Sequence, residues 1–143
     1  MKVQQISVFL ENKSGRLARV TEVLGENGIN IRALSIADTT DFGILRLIVD
    51  DPEKAVPALK KGGFVVSTTD VLAVEVDDKP GSLSEAMRLL EQAAINIEYL
   101  YAFVQKNPQK ALVVFRVEQV DQAIRVLQDN GVTLMPSQEV YKM

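Results

Sequence analysis

Two stretches of this chain match across 66 residues: ENKSGRL at 11–17 and DDKPGSL at 77–83 share Lys, Gly and Leu at the same places. Each closes an alternating apolar run and opens a helical one, so the chain builds one strand-to-helix turn twice. The match extends further. Ile29-Asn30-Ile31 and Leu34 recur as Ile95-Asn96-Ile97 and Leu100 at the same offset, whereas Gly63 and Gly131 stand 68 apart. The two extra residues fall in the hairpin segment QKNPQK, and loops tolerate insertions best. A repeat this long exceeds any solenoid unit and marks a duplicated domain, with expected boundaries 1–68 and 69–143.

Each half reads as strand, helix, strand, strand, helix, strand. VQQISVFLE alternates Ile6, Val8 and Leu10 against Gln5 and Ser7, the pattern of a half-buried strand. After Gly15, Leu17, Val20 and Leu24 recur at helical spacing, and Asn27-Gly28 supplies a left-handed cap. INIRALSIAD and GILRLIV are strands with TTDF turning between them. DPEKAVPALKKGG opens on the Asp51 cap with Pro52 in the first turn and stops at Gly62-Gly63; Pro57 makes that helix short or kinked. FVVSTT closes the first half. The second half runs VLAVEV, a helix striped by Leu83, Ala86, Met87 and Leu90, the strands INIEYLYAFV and ALVVFRV, and a helix through Val120, Ala123, Ile124 and Leu127. Ala93-Ala94 replaces Asn27-Gly28. A left-handed alanine costs ~1–2 kcal/mol, so this helix is expected to end differently from its counterpart.

A β-α-β-β-α-β order is the split-βαβ, ferredoxin-like plan, an α+β fold with an antiparallel sheet and helices on one face. The right-handed crossover rule leaves few other connections.

Composition narrows the chemistry. The chain has 143 residues with no Cys and no His. That removes disulfides and thiol catalysis, and with them the commonest general base and metal ligand. A formal net charge of −3, spread without runs, gives no footprint for nucleic acid or an anionic membrane. No apolar run approaches the ~18 residues of a membrane span. MKVQQISVFLENKSG has the alternation of a strand rather than the apolar block of a signal peptide. The expectation is a cytoplasmic binding protein, not an enzyme, without cofactor or metal.

The strand followed by DKPGSL, an amphipathic helix, INI, a hairpin and a second helix resembles the ACT domain, a regulatory module attached to enzymes of amino-acid metabolism. The whole chain resembles tandem ACT proteins, two ferredoxin-like βαββαβ modules in succession. SVFLENKSGRL…GINI is also similar to the ACT module of acetolactate synthase regulatory subunits. The first copy departs from the usual pattern in having Ser14 in place of Pro.

On physical grounds alone, Gly15 and Gly81 stand where a helix begins, so the following amides lack intrahelical acceptors. Those donors and the positive helix end suit a carboxylate, and glycine admits a close approach. Asn12 and Asp78 either accept from a ligand's ammonium group or only order the turn. Asn30 and Asn96 either meet the ligand or serve as turn residues before a strand. The ACT resemblance implies a small amino-acid ligand at interfaces between modules. Its site would be built from Asn12, Gly15, Arg16, Leu17, Asn30 and Ile31 in the first copy, and Asp78, Gly81, Ser82, Leu83, Asn96 and Ile97 in the second.

Alternation places Leu34, Leu100, Ala102 and Val104 with the helices. It places Tyr99, Tyr101 and Phe103 on the opposite face near Leu112 and Val114, with Ile44, Arg46 and Ile48 in the first half, unless a bulge turns the rings inward. An apolar, aromatic face left wet would favour a homodimer. Three functions remain open. One is a non-catalytic amino-acid-binding regulator of a metabolic enzyme, with a regulatory subunit of an acetolactate-synthase-like enzyme as its variant. Another is a single-stranded RNA binder of RRM type, disfavoured by the acidic balance and the lack of a GFGFV-like run. The last, acylphosphatase-like catalysis, would rest on Arg16 alone.

Overall fold

The structure, a computed structural model, describes residues 1–38, 41–104 and 107–143. Part of the expected TTDF turn and of the QKNPQK hairpin, residues 39–40 and 105–106, lies outside them. The elements run β1 (Val3–Glu11), α1 (Arg16–Glu26), β2 (Ile31–Asp38), β3 (Phe42–Val49), α2 (Pro52–Lys61), β4 (Val65–Asp77), α3 (Ser82–Gln92), β5 (Ile97–Ala102), β6 (Lys110–Val117), α4 (Val120–Asp129), β7 (Thr133–Leu134) and α5 (Ser137–Lys142). They form two compact units, Gln4–Thr69 with Tyr141–Met143, and Asp70–Val140 with Met1–Val3.

In the first unit the strand order is β2-β3-β1-β4. Both β1 and β2 pair antiparallel with β3, and Leu47 stands opposite Ile6 on one side and Leu34 on the other. The alternation in β1 therefore sends Ile6, Val8 and Leu10 to one face. There they pack with Val20, Val23 and Leu24 of α1, Leu59 of α2, and Phe64. Asp51 caps α2 by accepting from the Lys54 amide at 3.1 Å. Pro57 sits inside this ten-residue helix. It is exposed, so water can serve the carbonyl that its missing N–H leaves unbonded.

The second unit repeats the plan. β4 pairs antiparallel with β6, placing Leu72 opposite Phe115, and β6 pairs with β5, placing Leu100 opposite the same Phe115. β7 returns to β4 with Leu134 opposite Val74. Leu72, Val74, Leu90, Ile95, Phe115 and Leu127 form its core beneath α3 and α4. This α+β arrangement of two ferredoxin-like modules is the architecture expected from the repeat.

Three features differ from expectation. FVVSTT and VLAVEV are one strand, β4, because no Gly or Pro interrupts Val65–Asp77. Helix α5 follows the repeat and has no counterpart in the first half; its Val140 is fully buried. The Tyr141 hydroxyl accepts from the Gln4 amide at 3.0 Å, and its carbonyl accepts from Arg32 Nη2 at 3.1 Å.

The third concerns helix ends. Ala94 adopts the left-handed conformation, φ 57°, where Gly28 has φ 69°. The Ala94 amide donates to Glu91 O and that of Ile95 to Leu90 O, both at 2.9 Å. Gly28 and Ile29 make the matching bonds to Gly25 O and Leu24 O. The expectation that α3 ends differently is thus overturned. Burying Ile95, 4% exposed, is worth about 1.5–3 kcal/mol and offsets the ~1–2 kcal/mol cost of a left-handed alanine.

Register puts Tyr101 opposite Val114, with the Phe103 amide donating to Leu112 O at 2.9 Å. These residues lie on the face away from the helices, as alternation requires. Ile48, Phe103, Leu112 and Val114 are nonetheless buried. A wet apolar sheet face therefore supplies no reason for self-association.

Candidate functional site

The two repeated turns have one backbone design. Lys13 and Lys79 amides donate back to Glu11 O and Asp77 O, at 2.8 and 2.9 Å. Arg16 and Ser82 amides donate to Lys13 O and Lys79 O, both at 3.3 Å. Gly15 and Gly81 cap α1 and α3 with φ of 89° and 91°. A Cβ at either position would meet nothing within 4 Å. Glycine is therefore required by the left-handed backbone, and the room in front of each loop is a separate fact. The first helical amide is already bonded within each turn. The donors left for a ligand belong to Leu17 and Ala18 in one copy, and Leu83 and Ser84 in the other.

The expected site residues separate into two groups in each unit. Asn12, Gly15, Arg16 and Leu17 gather at the start of α1, and Asn30 and Ile31 follow its far end. Helix α1 has 11 residues, so at about 1.5 Å per residue the groups are roughly 16 Å apart. Asp78, Gly81, Ser82 and Leu83 are divided from Asn96 and Ile97 by the equally long α3. The far groups are tied into their own unit. Asn30 N–H donates to Asp50 Oδ1 at 2.9 Å, and its carbonyl accepts from the Asp50 amide. Asn96 Nδ2 donates to Glu118 Oε1 at 3.3 Å. In the second unit Leu83 of the near group nonetheless lines one groove with Asn96 and Ile97 of the far group.

Clefts lie beside several of these residues. Leu83, Asn96 and Ile97 line an open groove of about 660 Å³ along α3 with Met87 and Arg88. Ser82 lines a smaller cleft of about 180 Å³ with Glu75, Asp77, Glu85, Lys110 and Thr133. Arg16 lines a cleft of about 440 Å³ with Phe9, Leu10, Glu11, Phe42 and Val65, and its guanidinium carbon lies 4.8 Å from the centre of the Phe64 ring. Sequence reasoning missed Lys110, Glu75, Glu85 and Thr133. Glu85 lies three residues after Ser82 on α3, whereas Lys110 and Thr133 arrive by strand register, β6 setting Lys110 opposite Asp77 and β7 setting Thr133 opposite Glu75, which no spacing in the sequence announces.

Charge in the two turns is locally paired. Lys13 bonds Glu11 at 2.8 Å, and this holds the carboxyl below its usual range. Asp77 is bonded by Lys110, which likewise lowers the Asp77 pKa and raises that of the lysine.

A protein of two βαββαβ modules, each presenting a glycine-capped loop at a helix start, falls in a defined structural class. The chain belongs to the ACT domain pair family, which matches residues 1–143. It is similar to a solved protein of Bacteroides thetaiotaomicron, 45% identical, with a TM-score of 0.95 over 100% of this chain and 98% of that one. It shares its fold with the ligand-free regulatory subunit of aspartate kinase from Thermus thermophilus, at 18% identity and a TM-score of 0.65 over 88% of this chain and 90% of that one. It is also 31% identical over 90 residues to the acetolactate synthase small subunit of Buchnera aphidicola, spanning 61% of this chain and about half, 55%, of that relative.

Proposed function

We propose that this chain is a non-catalytic regulatory protein that binds a small amino acid at interfaces between ACT modules and modulates an enzyme of amino-acid metabolism. The observation that carries the reading is the repeated loop: the same backbone bonds and left-handed glycines direct first-turn amides outward in both copies. Such amides suit an α-carboxylate. In this reading the complete site requires the loop of one module to face the strand start of a module in a second chain. A homodimer follows from that requirement. Ligand occupancy regulates only through different affinities for two arrangements of the modules.

The likeness to an acetolactate synthase small subunit favours a related version, a regulatory subunit of an acetolactate-synthase-like enzyme. A thermal-shift screen against the proteinogenic amino acids tests the general reading. A specific ligand raises the melting temperature progressively with concentration, and a flat response to all of them rules the function out.

A further inference from the structure

A cavity of about 560 Å³ lies beside the start of β1, whereas the glycine loop follows the end of that strand. Every residue lining it belongs to the unit of Gln4–Thr69 with Tyr141–Met143. Its walls divide by chemistry. Pro52, Val56, Pro57 and Tyr141 give an apolar and aromatic surface, and Asp50, Asp51 and Glu53 bring three carboxylates to it. Among the described residues no lysine or arginine lines it. Arg32 bonds the Tyr141 carbonyl from outside the lining. Asp50 and Asp51 each accept from a backbone amide, that of Asn30 or Lys54, through Oδ1, and an ionised carboxylate has a second oxygen for another donor. Glu53 has no hydrogen bond or ion pair among the described residues. The positive end of α2, about half a charge, offsets little of three negative ones.

The second module holds a matching carboxylate that is already met. Ala123 and Leu127 of α4 follow Ala55 and Leu59 of α2 by 68 residues, and all four are fully buried. The same offset sets Asp121 in the place of Glu53. There Lys2 Nζ, an ammonium on an alkyl stem, lies 3.1 Å from Asp121 Oδ1 within one unit. That pair is exposed and adds little to stability, but it displays the complementary chemistry. The first module has the acid without the lysine. We propose that its cavity binds a primary amine carried on an apolar body, with the ammonium among Asp50, Asp51 and Glu53 and the body against Pro52, Val56, Pro57 and Tyr141. The volume falls in the range of roughly 300–1,000 Å³ typical of small-molecule sites. Three carboxylates repel an α-carboxylate, so this site takes amines rather than amino acids and is independent of the amino-acid-binding reading.

Titration of the full chain with 2-phenylethylamine, followed by amide NMR shifts, tests this against three probes of similar shape: neutral 2-phenylethanol, anionic 3-phenylpropionate and zwitterionic L-phenylalanine. The amine should move the amides of Val56, Thr68 and Tyr141 with a Kd of roughly 1 mM or tighter. At those amides the alcohol should bind about tenfold more weakly, the loss of one hydrogen bond between charged groups, and the two carboxylates more weakly still. Asp51→Asn combined with Glu53→Gln removes two charges while asparagine keeps the helix cap. It should weaken the amine about tenfold and leave the alcohol unchanged. Asp121→Asn, in the second module, should change neither. Circular dichroism confirms that each variant is folded. Equal affinity for amine and alcohol, wild-type amine affinity in the double variant, or no shift at the cavity amides with roughly 10 mM amine each overturns the proposal.

Discussion

Helix α1 and helix α3 end alike with different residues. Gly28 reaches its left-handed φ of 69° freely, whereas Ala94 holds 57° against the preference of its own side chain. Both ends make the same pair of backbone bonds and deliver an isoleucine, Ile29 or Ile95, into the core of its unit. The lesson is one of hierarchy. Where a buried anchor follows the helix, the anchor dictates the backbone and local propensity adapts.

The largest expected effect comes from removing an anchor. Ile95→Ala should cost ~2–5 kcal/mol in chemical denaturation. If the left-handed turn is held by that anchor, the variant should also lose amide-exchange protection at residue 94. Exchanging the caps is next. Gly28→Ala should cost ~1–2 kcal/mol by placing a Cβ at positive φ, although no atom crowds it within 4 Å. Ala94→Gly should do the reverse and raise stability by up to about 1 kcal/mol, part of the relief being lost to unfolded-state entropy. Equal melting curves for wild type and Ala94→Gly would show that α3 bears no strain.

The smallest effect is electrostatic and compares the two turns. Glu11 and Asp77 have lowered pKa values, each from a hydrogen bond and charge interaction with one lysine, Lys13 and Lys110 respectively. A lowered carboxyl pKa contributes stability above the unfolded pKa and loses it as pH falls through the folded value. For Lys110 the raised pKa contributes below the unfolded value and is lost as pH rises through the folded one. NMR titration should therefore place both carboxyl midpoints below those of unpaired model carboxyls. Lys110→Met should return Asp77 toward its ordinary value and leave Glu11 untouched. Both pairs are exposed, so added salt should erase most of the shift.

Much of the fold was legible because duplication let each half check the other. The apolar stripes Val20–Leu24 and Ala86–Leu90 placed the helices, and the repeated glycines placed the loops. Alternation also assigned Leu34 and Leu100 to the helix face, where register puts them. The ending of α3 was not legible, because alanine's intrinsic cost is visible in a sequence and the compensating burial of Ile95 is not. Nor was the union of FVVSTT with VLAVEV. Extended backbone at Thr69-Asp70 is fixed partly by a distant donor, Arg116 Nη1, bonded to the Asp70 carbonyl at 3.3 Å. Of the residues that line the two clefts, spacing picked out Ser82 and Arg16 but not Lys110, which strand pairing carries to Asp77 from 33 residues away.

The allocation of Tyr141–Met143 to the unit formed by Gln4–Thr69 has a consequence for biosynthesis. A ribosome makes that unit's sheet first and its residues 141–143 only after residues 70–140 of the other unit. The bonds from Gln4 and Arg32 to Tyr141 must therefore await synthesis of the second unit, so the half whose sheet is translated earliest is completed only after the other has been made.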